Sequence, residues 1–438
     1  MPFSTILVAK KRVQVLHSVD YTSLTVLLRY FGIGINKRDS MASSKTLEIV
    51  TATVPVLEEH GTAITTVFYK NMFEEHPELL DIFNETNQKL GRQQTALATT
   101  VLAAAKHLDK LATLLPQVTQ ISHKHRALQI LPEHYPIVGK HLIGAIKEVL
   151  GEAANDDIIN AWTEAYDEIA SVFIQIEHGM YEEAMWQGFA PFVVTKKVAA
   201  ATDIAAFTVV PAKDNAESHQ QIDLSKLTLT AGQYITVKTD PKDSDHVALR
   251  HYSLYSASTD AGIQFAVRRD NRNEHHGLVS NYMHDQLEVG DTVLLSAPAG
   301  DFALNQDLVQ QNEIPLVLIS AGVGVTPVLS MLEAQVLANP KRPIIWVYAC
   351  QNDAHHAFNT EVETLLENAE TVEKHIFYFE SGQLLDEAWL AQLPKPADIY
   401  VCGSMPFMES MIDGLVTLDH GVDSVHYEPF GPKMSLGG

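Results

Sequence analysis

Residues 316–327 read LVLISAGVGVTP, a continuous apolar run that ends in two glycines and Thr-Pro. The run predicts a strand buried on both faces, and the glycines let the backbone approach a pyrophosphate at the N-terminus of a following helix. Three further apolar runs alternate with helical stretches: PIIWVYA (343–349), HIFYF (375–379) and DIYVCG (398–403). We therefore predict a parallel sheet covered by helices. The glycine loop, taken alone, is equally compatible with a structural turn.

Upstream, residues 190–303 show a different pattern of short strand-like runs separated by turn residues. The runs are FVVTKKV (192–198), AAFTVV (205–210), GQYITVKT (232–239), RHYSLYS (250–256), IQFAVRR (263–269) and TVLLSAP (292–298). This spacing predicts an antiparallel barrel of about six strands. One helical piece, at residues 278–287, interrupts it.

Still further upstream, from Lys45 to Glu183, the periodicity is helical. Apolar residues recur three and four positions apart from Leu97 to Leu115 and again from Ile158 to Ile176, which predicts an all-α domain. We expect a helix to begin at Pro132, because the missing N–H costs nothing in a first turn. With 438 residues, three domains fit a prior of about 150 residues each.

Charge and cysteine content exclude several classes of function. The net charge of −23 repels phosphate backbones and anionic lipid, so we expect no nucleic-acid or membrane partner. Cys350 and Cys402 form no disulfide framework and no CxxC metal motif, which favours a reducing compartment, and we expect a cytoplasmic protein.

The first forty residues differ from the rest of the chain. They carry a net +4, which leaves −27 for the remainder. Their longest apolar stretch, residues 24–35, is interrupted by Arg29 and is shorter than the roughly 20 residues that a membrane span requires, so we expect no membrane anchor. We interpret residues 1–40 as an extension ahead of Met41, disordered or not native, with a targeting peptide as the alternative.

The motifs of the C-terminal half occur in a characteristic order: GQY, RxYS, GxVS, GxGxTP, CG and a final aromatic-Gly-Pro. In this order they resemble the ferredoxin–NADP reductase superfamily over residues 190–438. Without the resemblance, Arg250 and Tyr252 would be an exposed cation and a cross-strand aromatic. The resemblance implies FAD binding by Tyr234, Arg250, His251, Tyr252, Ser253, Val279, Ser280, Pro429, Phe430, Gly431 and Pro432. It implies NAD(P) binding by Gly322, Val323, Gly324, Val325, Thr326, Pro327, Cys402 and Gly403.

The second predicted strand of the α/β domain indicates which nicotinamide cofactor binds. It is followed by Asp353, with no arginine where a 2′-phosphate would need a cation. We therefore expect NADH, with NADPH as the alternative. Asp353 is equally well explained as a solvated loop residue.

The helical domain needs a redox group if it is to serve the reductase. It contains no cysteine, which excludes an iron–sulfur cluster held by thiolates, so haem is the natural candidate. Eight histidines are available, and composition does not choose among them. They are His60, His76, His107, His123, His125, His134, His141 and His178.

Residues 41–188 resemble the globin domain of the flavohaemoglobins. The matching segments are Phe68-Tyr69, LLDIFN (79–84), GRQQTAL (91–97), SHKHRALQI (122–130), LPEHYPIVG (131–139), AWTEAY (161–166) and VFIQIEHGMY (172–181). The resemblance implies haem b with His125 as the proximal ligand, tuned by Glu177 and Tyr135. It also implies that Tyr69 donates a hydrogen bond to bound oxygen, that Gln93 supports Tyr69, and that Leu97 restricts access. Lys124 and Glu428 would lie where haem meets flavin.

With the reductase, the resemblance spans residues 41–438 and implies a nitric oxide dioxygenase. NADH would reduce FAD, FAD would reduce haem, and NO and O₂ would give nitrate, with minor oxidase activity. We expect a monomer with a globin domain at 41–188, an FAD-binding barrel at 189–305 and an NAD(P)-binding domain at 312–438. Pro429 stands where many members carry Cys, and Ser404 where Pro is common.

Two other functions fit parts of the sequence. The chain could be a flavin-dependent ferric or disulfide reductase whose helical domain is a docking module. It could also be an oxygen sensor, although a sensor would have little use for a reductase and the chain has no output domain.

Overall fold

The fold was analysed in a computed structural model that describes residues 42–83, 92–213, 221–240, 246–271 and 277–430. The predicted extension at residues 1–40, and Met41, lie outside this range. The described chain divides into two units: residues 42–79, 92–126 and 130–183 form a helical unit, and residues from Ala184 onward form a second unit with which residues 80–83 and 127–129 are grouped. Each unit is described by itself below.

Among the described residues, the helical unit contains five α-helices and short 3₁₀ turns. The helices are α1 (Ser44–Glu75), α2 (Arg92–Lys106), α3 (Leu115–Leu128), α4 (His134–Leu150) and α5 (Asp156–Glu183). The side chain of Ser43 caps α1 by accepting a hydrogen bond from the N–H of Thr46 at 3.1 Å. Helix α1 packs against α2, α4 and α5. The predicted all-α fold is confirmed.

Two details of the helix boundaries differ from expectation. The helical spacing between Leu97 and Leu115 is interrupted, because α2 ends at Lys106 and a 3₁₀ stretch with a kink at Lys110 precedes α3. Proline at 116 lacks an N–H and fits only the first turn of a helix, so the chain must start a new helix there. Helix α4 begins at His134, two residues after Pro132, because the His134 ring accepts the N–H of Leu131 and holds a turn.

The first part of the second unit is a six-stranded antiparallel sheet, as predicted. Its strands are β1 (Phe189–Ala201), β2 (Ile204–Pro211), β3 (Tyr234–Thr239), β4 (Ala248–Ser253), β5 (Ile263–Arg268) and β6 (Thr292–Ser296), in the order β4-β3-β6-β1-β2-β5. An antiparallel bridge between Leu254 and Phe265 joins the two ends of this order and closes the barrel. Helix α6 (Leu278–Asp285) follows β5.

The rest of this unit is a five-stranded parallel sheet in the order β11-β10-β7-β8-β9. Its elements are β7 (Leu316–Ala321), α7 (Val325–Ala338), β8 (Ile344–Cys350), α8 (Asn359–Leu366), β9 (Val372–Tyr378), α9 (Glu387–Leu390), β10 (Asp398–Cys402), α10 (Met405–Thr417) and β11 (Val425–Tyr427). Alternate residues of β7 pack into separate apolar clusters: Leu316 and Leu318 into one, Val317 and Ile319 into the other. Both faces of the sheet are therefore covered, as the apolar runs indicated.

None of the helices in the described ranges is long and apolar enough to cross a bilayer.

Candidate functional site

His125 lies near the C-terminal end of α3 and is held by residues from the next two helices. Its Nδ1 is 2.7 Å from Oε1 of Glu177 on α5 and 3.2 Å from the hydroxyl of Tyr135 on α4. The Tyr135 hydroxyl donates to the same carboxylate oxygen at 2.7 Å. Glu177 is 3 % exposed, so its charge depends on these two donors. Three helices thus converge on one imidazole.

This arrangement fits a histidine that binds haem iron. An ionised carboxylate only accepts hydrogen bonds, so the proton of a neutral His125 belongs on Nδ1, and Nε2 keeps a free electron pair. A carboxylate on Nδ1 also makes Nε2 a stronger donor to iron. Burial, and next the charge of Glu177, raise the pKa of Tyr135, which keeps its phenol a donor. The donor set therefore suits the haem that the globin resemblance implies.

Tyr69, the predicted oxygen-binding residue, is buried near the end of α1. Its ring meets Phe68 edge-on at 4.7 Å and stacks on Phe73 at 5.7 Å. Burial raises the pKa of its hydroxyl, so the phenol stays protonated and can donate. Leu97 is half-buried on α2, the helix that packs against α1. Residue 93 lies in the first turn of α2, but its side chain is outside the described part of the structure.

The predicted flavin residues of the barrel lie on two neighbouring strands. Tyr234 of β3 pairs with Ser253 of β4, and its ring is 4.9 Å from that of His251. The ring of Tyr252 stacks on Phe265 at 5.7 Å, and burial raises its pKa to about 12. The strand pairing thus brings the GQY and RxYS motifs, including Arg250, together on one region of the sheet.

The GxVS motif forms the first turn of α6. Gly277 is the N-cap and offers no side chain to the first N–H groups of the helix, which suits an anionic partner. Ser280 donates to the carbonyl of Gly277 and accepts the N–H of Asp270, both at 3.1 Å, and Val279 is buried. A helix N-terminus that no side chain caps fits a phosphate of FAD.

The two glycine motifs of the parallel sheet lie at the carboxyl ends of adjacent strands. Residues Gly322–Gly324 follow β7 and form a 3₁₀ turn before α7, while Gly403 follows β10. A Cβ on Gly324 would lie 2.4 Å from the carbonyl oxygen of Cys402, and one on Gly403 would lie 2.6 Å from the ring of Phe407. At Gly324 the two loops therefore pack backbone against backbone, which requires glycine, and at Gly403 the loop packs against an aromatic ring.

The remaining predicted nicotinamide residues form the start of α7. Val325, Thr326 and Pro327 are buried, and the Thr326 hydroxyl donates to the carbonyl of Val323 at 3.0 Å. No side chain caps α7, although the N–H of Val325 already bonds the carbonyl of Gly322 and Pro327 has no N–H. The loop lies at the switch between β7 and β10, where sheets of this kind bind a pyrophosphate. This arrangement fits a dinucleotide.

The C-terminal flavin residues are only partly described. Glu428 and Pro429 are buried and Phe430 is 44 % exposed, whereas Gly431 and Pro432 lie outside the described residues. Glu428 belongs to the second unit and Lys124 to α3 of the helical unit. The predicted coupling of haem and flavin through these two residues stays a prediction.

Sequence reasoning missed two residues at these sites. Phe173 of α5 packs its ring 5.6 Å from His125 and 6.4 Å from Tyr135. Arg268, the last residue of β5, brings Nη1 within 3.6 Å of where a Cβ on Gly322 would lie, so a cation stands beside the nucleotide loop. In the sequence, both residues only continued a helical or strand pattern, which gives no signal of a contact distant along the chain.

Comparison with known families gives three matches. The globin family matches residues 66–173, the oxidoreductase FAD-binding domain matches 193–304, and the oxidoreductase NAD-binding domain matches 318–413. The chain is thus an oxidoreductase whose domains bind haem, FAD and NAD.

Whole-length relatives show the same combination. The chain is 42 % identical to the Bacillus subtilis (strain 168) flavohemoprotein, over 90 % of this chain and 99 % of the relative, and 39 % identical to flavohemoprotein A of Dictyostelium discoideum, over 90 % and 99 %. A crystal structure of Malassezia yamatoensis flavohemoglobin with bound FAD and heme superposes with a TM-score of 0.77 at 27 % identity, covering 90 % of this chain and all of that one. The chain therefore belongs to the flavohemoprotein family.

Proposed function

We propose that this flavohemoprotein is a nitric oxide dioxygenase that oxidises NO to nitrate with O₂ and electrons from NADH. When bound, the nicotinamide would supply a hydride, FAD would supply the change from two-electron to one-electron transfer, and haem, held by His125, would supply the site of oxygen chemistry. The overall reaction balances as two NO, two O₂ and one NADH giving two nitrates, NAD⁺ and one proton. The hydrogen-bonded set of His125, Glu177 and Tyr135 is the observation on which the proposal rests.

The proximal side suits oxygen chemistry better than reversible oxygen storage. A carboxylate bonded to Nδ1 would give His125 partial imidazolate character and so make its Nε2 a stronger electron donor to the iron that it would hold. Because Tyr135 donates to the same oxygen, the charge of Glu177 stays on that site. In this proposal both residues act on the reaction only through His125.

On the distal side, we assign Tyr69 the role of donor to the oxygen ligand. Its buried, protonated hydroxyl can stabilise negative charge that develops on oxygen, at a point where the aromatic neighbours Phe68 and Phe73 exclude water. Leu97 would limit the space beside it. Gln93 would orient Tyr69.

For the electron donor we propose NADH rather than NADPH. Asp353 follows β8, and the hydroxyl of Tyr378 donates to its carboxylate at 3.3 Å. A carboxylate here favours the ribose hydroxyls of NADH and repels the 2′-phosphate of NADPH. Because one chain carries the oxygen, flavin and nicotinamide modules, a monomer can complete the reaction. Two buried free cysteines are consistent with a reducing compartment such as the cytoplasm.

The proposal is tested by measuring how much NO the protein consumes and how much nitrate it forms. The purified holoprotein with NADH and O₂ should convert NO to nitrate at a 1:1 ratio. His125→Ala should abolish this conversion, whereas His178→Ala, which removes an exposed histidine of α5, should not change it. Nitrate formation at the original rate in His125→Ala would rule out the haem assignment.

The alternative, a reductase that acts only through flavin, has a distinct outcome. In that case ferric or disulfide acceptors would be reduced at the same rate with and without haem, and no Soret band would follow haem-supplemented expression.

A further inference from the structure

We propose that the helical unit carries a second metal site, for Zn²⁺, built by Glu75 and His76 at the end of α1 and His141 on α4. One ligand atom from each of these residues can be chosen so that all three lie within 4.8 Å of one another. Nothing in the oxygen or electron-transfer chemistry uses them. Two imidazoles and a carboxylate are a common ligand set for zinc.

The first observation that points to a ligand is the buried state of His141. Its side chain is 6 % exposed, and its Nε2 forms no hydrogen bond within the described residues. That atom faces Oε2 of Glu75 at 3.4 Å, which is too long and poorly placed for a good hydrogen bond. A buried polar nitrogen left in this state is costly unless something binds it.

The second observation is how His76 is oriented. Its Nδ1 lies 3.0 Å from Oε1 of Glu78, while its ring stands edge-on to that of His141 with centroids 5.6 Å apart. A carboxylate on Nδ1 places the proton there and leaves Nε2 for a metal. Histidines that bind metals are held in the same way. The Nε2 atom of His76 lies 4.0 Å from Oε1 of Glu75.

The distances require little rearrangement. Zinc ligands about 2.0–2.1 Å from the ion in a tetrahedron are about 3.3–3.4 Å apart. Nε2 of His141 and Oε2 of Glu75 already have this separation. The three ligand atoms lie within 4.8 Å of one another, so the ring of His76 needs to approach by about 1.5 Å at most. Lys140 binds Oε1 of Glu75, so Oε2 is the oxygen available to the ion. Glu75 is exposed, so water can occupy the fourth position.

The zinc site would join α4 to the C-terminal end of α1, the end nearer to Tyr69. His76 is the C-cap of α1, seven residues after Tyr69, and Phe73, which lies between them in the sequence, stacks on Tyr69. Zinc bound by His76 and His141 would fix the last turn of α1 to α4. We expect it to raise the temperature at which the helical unit unfolds.

The test is equilibrium dialysis of the full-length holoprotein against buffered ZnCl₂, with zinc and iron measured in the same sample. We expect one zinc per chain with unchanged iron. His76→Gln should weaken zinc binding at least about 100-fold, and Glu78→Gln about 10-fold to 100-fold because it frees the His76 ring. The matched control is His178→Gln, which breaks an exposed histidine–glutamate pair on α5 with no second histidine and should leave zinc binding unchanged.

A second measurement distinguishes loss of zinc binding from misfolding of a variant. Zinc should raise the unfolding midpoint followed by haem absorbance in the wild type and in His178→Gln, but not in His76→Gln. Absence of stoichiometric zinc at about 100 µM free ion, or equal binding by wild type and His76→Gln, would overturn the proposal.

Discussion

At the scale of single residues, the charge of Glu177 is the property on which His125 depends. Glu177→Gln keeps the size and an acceptor oxygen but removes the charge, so electron donation by the imidazole should fall. We expect a lower iron–histidine stretching frequency in the resonance Raman spectrum of the ferrous protein. The rate of NO consumption should fall about 10-fold to 100-fold.

Two further variants separate charge from packing at this position. Tyr135→Phe leaves the carboxylate in place and removes one donor, so its effect should be smaller than that of Glu177→Gln. Glu182→Gln, an exposed change on the same helix, should leave the stretching frequency unchanged. Equal frequencies in wild type and Glu177→Gln would show that the carboxylate does not tune the ligand.

The pH dependence of oxygen chemistry follows from the burial of Tyr69. Burial raises the pKa of its phenol above the ordinary value of about 10, so the folded protein keeps the donor proton throughout neutral pH. The stability contributed by the neutral phenol is complete below the unfolded pKa and is lost only as pH rises above about 10. Tyr69→Phe should therefore lower the rate of NO consumption roughly 10-fold to 100-fold. The factor should be the same at every pH from 6 to 9.

This prediction is checked by the ratio of wild-type to Tyr69→Phe rates at each pH. Tyr181→Phe, which removes a hydroxyl that donates to the backbone carbonyl of Ile130, is the control for loss of a buried phenol group. A ratio that changes tenfold between pH 7 and 9 would mean that Tyr69 ionises within that range.

The sequence identified individual site residues only where they belong to a motif or to a periodic pattern. His125, Glu177 and Tyr135 were identified by segments that resemble the globin domain of the flavohaemoglobins. In the structure, the polar atoms of these three side chains lie within hydrogen-bonding distance of one another. Arg268 and Phe173 were missed because their neighbours are distant along the chain and their residue types already fitted a strand and a helix. The unpaired nitrogen of His141 was likewise invisible, since burial depends on the tertiary fold.

At the scale of elements, the nucleotide loops are constrained by close backbone packing. Gly324→Ala would place a Cβ 2.4 Å from the carbonyl oxygen of Cys402, so one of the two loops must move. We expect a loss of about 1–3 kcal/mol in the free energy of unfolding and a raised KM for NADH. Gly421→Ala, whose Cβ would meet Ser424 at an ordinary 3.6 Å, should change neither. An unaltered KM in Gly324→Ala would show that the loop does not bind the nucleotide.

A buried ion pair joins β10 to the chain before β8. Nη2 of Arg342 is 2.9 Å from Oδ2 of Asp398, both side chains are fully buried, and the guanidinium also donates to the carbonyl of Ile314 and to Gln335. Removing Arg342 leaves the buried carboxylate of Asp398 with only the ring of His426, whose Nε2 lies 3.1 Å from Oδ1. Arg342→Met should therefore lower the free energy of unfolding of this unit by about 3–5 kcal/mol, measured by flavin fluorescence in a denaturant titration.

The paired change tests the cause of that loss. Arg342→Met with Asp398→Leu should recover part of the lost free energy, because no buried carboxylate then remains without its arginine, and the ring of His426 is 31 % exposed. Arg269→Met, which breaks a bidentate but exposed pair with Asp285, should cost much less. If the double variant is no more stable than Arg342→Met, the unpaired charge is not the source of the loss.

The sequence predicted most elements because their apolar periodicities are long. It did not predict β11, whose three residues are too few to show a period, or the start of α4, which depends on one side-chain contact of His134. It did not show the break between α2 and α3 either, since apolar spacing continues through a 3₁₀ stretch. Short elements and boundaries are determined by individual contacts rather than by pattern.

At the scale of the whole molecule, the question is whether electrons pass from the second unit to the helical unit. His125→Ala changes a residue of the helical unit, the one that we propose as the iron ligand. We therefore expect anaerobic NADH to bleach the flavin band in this variant at the wild-type rate and to reduce ferricyanide unchanged, while the haem band stays unaltered. In the wild type the flavin and haem bands should change in sequence.

Arg268→Ala provides the opposite perturbation in the second unit. Loss of the cation beside Gly322 should raise the KM for NADH in both haem reduction and ferricyanide reduction by the same factor, because both need the same hydride transfer. His125→Ala and Arg268→Ala thus block successive steps, and stopped-flow spectra distinguish them. If Arg268→Ala slowed haem reduction but not ferricyanide reduction, Arg268 would act after the flavin, and its assignment to the nucleotide loop would be wrong.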